Sequence, residues 1–371
     1  MKKQMSLVLI TAMLLASAGC GSSGSAQPAA STAAPAAAAE TNAAAPAADA
    51  QADQKDVPEG ATKLIFATGV TDTHPQAITL EKFADEFEKE TDGRYVIECY
   101  HNNTLGDDET LAEMCRTNTI QGWSGSLFGA LPNYIPEFGT FALPYILRSY
   151  DEAYEYLHNS EMMQGLMEKL ENDYNIHYVD TTLNGVRALT TKDTKVLSPA
   201  DLKGKKIRSM TAQVWQDVIS ALGGTPVPIA YSELYMSMQT GVVDGQDNGI
   251  SNVYSSKFYE VQGYFMKTDH GLTLSDFCLN ADIWKNMSPE DQETFNRLWT
   301  EICVKEDTEL MEKYYEEGFE AVKKAGMVVV EQDEMDMQAF YDSAEKMIDE
   351  KYVNDPVFGP VVQDIREYFG R

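Results

Sequence analysis

The chain has 371 residues, enough for two domains with separate cores. Charged residues make up 23% and hydrophobic residues 43%, a globular composition, and the formal net charge is −29. That acidity excludes nucleic acid, which demands basic patches, and disfavours anionic lipid; an anionic small ligand must be held by local arginines against the long-range field.

Residues 1–19 carry Lys2 and Lys3, an apolar centre from Leu7 to Ala16, and small residues before Cys20. The spacing predicts an export signal whose apolar run is short for a membrane span. The Ala-Gly-Cys ending resembles a bacterial lipoprotein signal. It implies a lipidated Cys20 as mature N-terminus, although Ser17 stands where Leu is common, and ordinary cleavage after Gly19 is the alternative. Residues 20–60 are rich in Ala, Pro and Ser, with Pro28, Pro35 and Pro46 interrupting any helix, and read as a disordered tether with a reach of roughly 35 Å.

The folded part begins near Lys63. The run 63–69 predicts a buried strand, and His74-Pro75 lies in a loop before it gives way to a helical spacing of Leu80, Phe83, Ala84 and Phe87. Residues 94–100 alternate as a second strand, 107–117 form a helix, and 139–147 are a third apolar run. Strands alternating with helices imply a parallel α/β sheet. A similar unit recurs later, with Ser198 and Pro199 opening a short helix, a strand at 205–210, and a helix over 212–222. Ser232 is expected to cap a helix ended by Gly241, and Val242–Asp244 to begin a strand. From Ser288 to about Gly326 one helical pattern runs on, on the order of 50 Å at 1.5 Å per residue, long enough to span two lobes.

Arg208 ends a strand, where α/β sheets place ligands, and its guanidinium can grip a carboxylate with two parallel hydrogen bonds. Taken alone, a surface arginine after two lysines is the plainer reading. Arg187 either supports Arg208 or forms a structural ion pair. Asn248, between glycines in a turn, can donate and accept. Tyr231, Trp123 and Trp215 can wall a ligand or fill a core, and Ser124, Ser126 and Gln213 can meet hydroxyls.

Cys99, Cys115, Cys278 and Cys303 have no C-x-x-C spacing, so no zinc site is expected; they are either buried thiols or hold one disulfide. Neither a metal nor another cofactor is expected. The five histidines are scattered, and no H-E-x-x-H, G-x-S-x-G, P-loop or G-x-G-x-x-G occurs, which argues against an enzyme.

Several stretches, in order, carry a family likeness: His74-Pro75, NNTLGDDETLAEM (102–114), YIPEFGTFALPYILRSYDEAY (134–154), LNGVRALTT (183–191), DLKGKKIRSM (201–210), TPVPIAYSELYMSMQTGVVDGQDN (225–248), SSKFYEVQGYFMKTDH (255–270) and MSPEDQETF (287–295). Together they resemble the solute-binding proteins of TRAP transporters, DctP type, over nearly all of 63–365. The resemblance implies a two-lobed α/β fold of the periplasmic-binding-protein kind, with a hinge, crossing strands and a long helix spanning both lobes. Lobe I would comprise 61–184 plus about 274–313, and lobe II 185–273 plus about 314–371.

It implies an extracytoplasmic receptor, not an enzyme, that delivers a carboxylate to a sodium-driven carrier of one small and one large membrane subunit. The ligand would be clamped by Arg208, with Arg187, Asn248 and Tyr231 matching family positions, His74 in a matched stretch, and Trp123 and Ser124 in the segment where the family varies with its ligand. Gly249 stands where the family usually has Pro. Aromatic and hydroxyl groups in the presumed pocket favour a sugar acid slightly over a C4-dicarboxylate; a receptor feeding a sensor kinase is the alternative role.

Overall fold

A computed structural model describes residues 55–371, so the export signal, Cys20 and most of the tether lie outside the described residues. The last tether residues lie against the fold: Lys55 pairs with Asp85 at 2.7 Å and with Glu88 at 3.6 Å. No helix among the described residues is long and apolar enough to cross a membrane.

Among the described residues nine strands form one sheet: β1 (Thr62–Thr68), β2 (Tyr95–Tyr100), β3 (Gly122–Gly125), β4 (Ile176–Thr191), β5 (Lys206–Ser209), β6 (Thr225–Pro228), β7 (Gly245–Asn248), β8 (Tyr264–Asn280) and β9 (Val328–Val330). The order is β2-β1-β3-β8-β4-β7-β5-β6, with β9 on β8. The sheet is mixed, which corrects the expectation of a parallel one. Within each half β1, β2 and β3, and β5, β6 and β7, do run parallel. The halves are joined by β4 and β8, which cross between them in opposite directions and therefore pair antiparallel from Ile176↔Asn280 to Thr191↔Tyr264. One half holds β2-β1-β3 with the Asn280 end of β8. The other holds β7-β5-β6 with β9 and the Tyr264 end.

The β4–β8 ladder slips in register at three places, the last between Arg187 and Leu189. There β8 jumps from Gly271 to Met266, and Asp269 takes a positive φ of 44°. Such bulges bend and twist a ribbon, so the joint is built into the crossing strands themselves.

The helices include α1 (Pro75–Glu90), α2 (Asp108–Arg116), α3 (Tyr150–Asn159), α4 (Gln213–Ala221), α5 (Pro289–Leu298), α6 (Asp307–Lys324), α7 (Met337–Lys351) and α8 (Phe358–Tyr368). The long helical pattern is real: α5 continues through a π-helical stretch, Trp299–Glu306, into α6. Its first part packs Phe295 and Trp299 against Phe83 of α1 and Phe277 of β8, and its far end places Val322 in the core of the other half. Each such aromatic removes enough apolar surface from water to contribute about 1.5–3 kcal/mol.

Several local expectations differ. Residues 136–142, overlapping the start of the third apolar run, are a 3₁₀ helix whose Phe138 and Phe141 enter the core. Ser232 lies inside a 3₁₀ turn, Tyr231–Glu233, ahead of a short helix, Leu234–Gln239, so it does not cap. Asn248 ends β7 rather than sitting in a turn. The C-terminal α8, expected with lobe II, packs on the first half: Asp364 accepts hydrogen bonds from Tyr156 at 2.5 Å and Ser160 at 3.1 Å. The four described cysteines, Cys99, Cys115, Cys278 and Cys303, are buried and free.

Candidate functional site

The C-terminal ends of parallel strands from both halves converge on one cavity. Thr68 of β1, Ser124 of β3, Arg208 of β5 and Asn248 of β7 all line it, and the crossing strands close its floor with Asn184 and Thr273–Ser275. Ligands bind at such strand ends because the backbone groups and loop side chains there are not consumed by the sheet.

Arg208 is 3% exposed. Its Nε donates to the Ile229 carbonyl at 2.8 Å, while its Nη1 is buried with no partner among the described residues. The guanidinium carbon lies 6.0 Å from the Tyr231 ring centroid. Burial lowers its pKa to about 10, opposed by the charge of Asp247 and assisted by that of Arg187. A buried cation held by one neutral carbonyl is a costly arrangement that an incoming anion would relieve. Tyr231 is fixed by a 2.8 Å hydroxyl contact with Ser256, and burial pushes its phenol up to about 12.

Asn248 donates to Gln246 Oε1 at 2.6 Å and accepts from Asn252 at 3.4 Å. Gly249 has φ −70°, a value that proline also adopts, so the backbone there has the same form with either residue. Behind Ser124 lies a polar relay. Gln76 Nε2 donates to Ser124 Oγ, Ser275 donates to Gln76 Oε1 at 3.1 Å, and Asn184 Nδ2 donates to Ser275 at 3.0 Å.

Ser126 also lines the cavity, whereas Arg187, Trp215, Trp123, Gln213 and His74 do not. Arg187 is tied to Asp247, with Nε and Nη2 each 2.8 Å from Oδ2 and Nη2 2.9 Å from the backbone carbonyl; its guanidinium stacks 4.5 Å from the Trp215 ring. Trp215 and Trp123 are core residues, 2% and 0% exposed. Gln213 is exposed and donates to Asp217 at 3.2 Å. His74 caps α1: its Nδ1 accepts from the Gln76 amide, so Nε2 carries the proton given to Asn184 Oδ1 at 3.2 Å. Burial lowers the His74 pKa to about 4, leaving a neutral ring.

Sequence reasoning missed Gln76, Asn184, Asn252 and, above all, Asp108. Asp108 opens α2, and the surface it retains faces the cavity. Burial raises its carboxyl pKa to about 6, with the Ser126 amide and the Trp123 indole pulling it back. Its neighbour Glu109 accepts a hydrogen bond from Thr211 Oγ1, across the cavity mouth. The GDDE run of 106–109 was the available signal, but carboxylates in a first helical turn are equally explained by the helix dipole.

A cavity between two sheet halves, offering a cation, amides and hydroxyls and holding neither Cys nor His in its described lining, has the make-up to hold a small polar solute. Residues 66–355 match the family described as bacterial extracellular solute-binding protein, family 7, DctP. The chain belongs to that family, one of substrate-binding receptors rather than enzymes. It is 31% identical over 302 residues to the C4-dicarboxylate-binding protein DctB of Bacillus subtilis, covering 79% of this chain and 82% of that one. Among solved structures it is similar to a TRAP periplasmic solute-binding protein of Polaromonas bound to D-erythronate, at 26% identity and TM-score 0.75, covering 82% of this chain and 98% of that one. A second, from Chromohalobacter salexigens with bound D-glucuronate, shows 27% identity and TM-score 0.74 over 82% and 99% of the two chains. The fold is the two-lobed one of TRAP periplasmic binding proteins, with β4 and β8 crossing between the lobes.

Proposed function

We propose that the chain is an extracytoplasmic receptor that closes on a small organic acid, holds its carboxylate on Arg208, and delivers it to a sodium-driven TRAP carrier of two membrane subunits. The observation that carries this reading is the buried Arg208 guanidinium in the cavity wall with an unpartnered Nη1. Tyr231 and Asn248 flank it as ligand contacts, with Ser124 on the opposite lobe. Arg187 supports Arg208 at one remove, through Asp247. The contact between Glu109 and Thr211 supports a closed arrangement, since those residues stand on opposite sides of the mouth.

Arg208 is the only Arg or Lys among the described lining residues, and one cation suits one carboxylate. A sugar acid is therefore favoured over a C4-dicarboxylate, in keeping with the D-erythronate and D-glucuronate of the two solved relatives, whereas the Bacillus relative is named for C4-dicarboxylates. Lipidation of Cys20 would hold the receptor to the membrane through the 20–60 segment, and mass analysis of the mature N-terminal peptide tests it.

The test of function is a thermal-shift screen of the mature protein against uronates, aldonates, C4-dicarboxylates, keto acids and aromatic acids. A ligand at 100 times its Kd adds about 2.7 kcal/mol of stability. A shift with one acid class, lost in Arg208→Ala, is expected; binding of equal strength in that variant would remove the carboxylate clamp.

A further inference from the structure

The cavity carries opposite charges from its two halves: Arg208, backed by Tyr231, comes from β5, and Asp108, at the start of α2 with Glu109 beside it, from the half built on β1 and β3. Asp108 and Arg208 are close enough for the carboxylate to raise the arginine's proton affinity. Asp108 is held by its neighbours in the cavity wall: the preceding Asp107 caps α2 by accepting from the Thr110 amide at 3.0 Å, and the Ser126 amide lies 3.4 Å from Asp108 Oδ2. Gly125, the last residue of β3 and next to that amide, has no room for a side chain, because a Cβ there would meet the Trp123 ring at about 2.5 Å. The carboxylate is thus positioned by a rigid corner rather than by a mobile loop.

We propose that Asp108 sets ligand class: the solute carries a single carboxylate for Arg208 and, separately, a hydrogen-bond donor for Asp108, which disfavours dicarboxylates. A hydroxyl or an ammonium group supplies that donor equally well in geometry. A second carboxylate would face Asp108 in a cavity shielded from water, where like charges repel strongly. Paired polar groups discriminate more sharply than pocket shape, because the wrong ligand leaves a buried acceptor without its donor.

This inference rests on the receptor reading, and matched ligands separate the two. Calorimetry of the full mature protein would compare D-erythronate with succinate, and D-glucuronate with D-glucarate; 4-aminobutyrate and butyrate would tell ammonium from hydroxyl and from no donor. We expect the donor-bearing monocarboxylate to bind at least tenfold more tightly than its dicarboxylate partner. Asp108→Asn should bring that ratio close to one, and Arg208→Ala should lose every ligand. A wild-type protein that prefers the dicarboxylate, or an Asp108→Asn protein that keeps the wild-type ratio while Arg208→Ala still abolishes binding, overturns the role of Asp108 alone. Full binding by Arg208→Ala, or no binding of any acid, overturns both. Should Asp108→Asn fail to melt cooperatively, the wild-type ratio decides.

Discussion

Arg187 and Asp247 form a bidentate, fully buried pair at 2.8 Å, while Arg208, a few residues away in space, keeps a guanidinium nitrogen unpartnered. Two arginines of similar burial therefore have opposite energetic roles. Arg187 completes a network in which His270 Nε2 also meets Asp247, at 3.2 Å. Arg208 is left wanting an anion.

The two roles separate in stability measurements. Arg187→Met strands the buried Asp247 carboxylate and should cost roughly 3–5 kcal/mol in urea unfolding. Arg208→Met removes a poorly satisfied buried charge and should leave the ligand-free protein as stable as the parent, or up to about 1 kcal/mol more stable, while abolishing ligand binding. Equal destabilisation by both substitutions would contradict this division.

Asp307 gives the protein a pH signature. It opens α6 in full burial, with a 3.3 Å hydrogen bond from Thr79, and burial raises its pKa to about 7. An acid whose folded pKa lies above its unfolded value loses stability as pH rises from about 4 to about 7. His74 acts oppositely: with a folded pKa near 4, it removes stability as pH falls from its ordinary 6.5 to 4. The two offset each other in the wild type. Asp307→Asn should be more stable than the parent by roughly 2 kcal/mol at pH 8, with the difference vanishing near pH 4. Chemical denaturation at the two pH values checks it, and a gain of equal size at both would contradict it.

The thiols should be silent in the native state. Burial raises the pKa of Cys99, Cys115, Cys278 and Cys303, and reaction needs an accessible thiolate. Titration with an aromatic disulfide is expected to detect none of the four natively and all four in guanidinium, Cys20 being separately blocked. Rapid native labelling at any of them would show a local opening.

Much of this was legible beforehand. The apolar run at 64–67, the His74-Pro75 helix start and the strand leading to Arg208 fold as their patterns require, and Arg208, Tyr231, Asn248 and Ser124 meet in one cavity. What was illegible depends on which way a side chain faces. Trp123 and Trp215 are as apolar in a ligand wall as in a core, and only packing places them inside. Arg187 was equally consistent with two roles until Asp247 was found beside it. The mixed sheet was hidden because the pairing of β4 with β8 joins segments far apart in sequence, and local periodicity carries no information about strand direction.

That long pairing also governs how the polypeptide can be made. β3 finds its second neighbour only in β8, and β8 in turn carries β9, so neither sheet half has its full set of strands until residues far along the chain have arrived. Such non-local closure is slow, and a nascent chain stopped before Tyr264 would present β3 and β4 as open edges, ready to pair with a neighbour. A polypeptide built this way has no complete sheet until Val330 has emerged, and so stays threadable for most of its length.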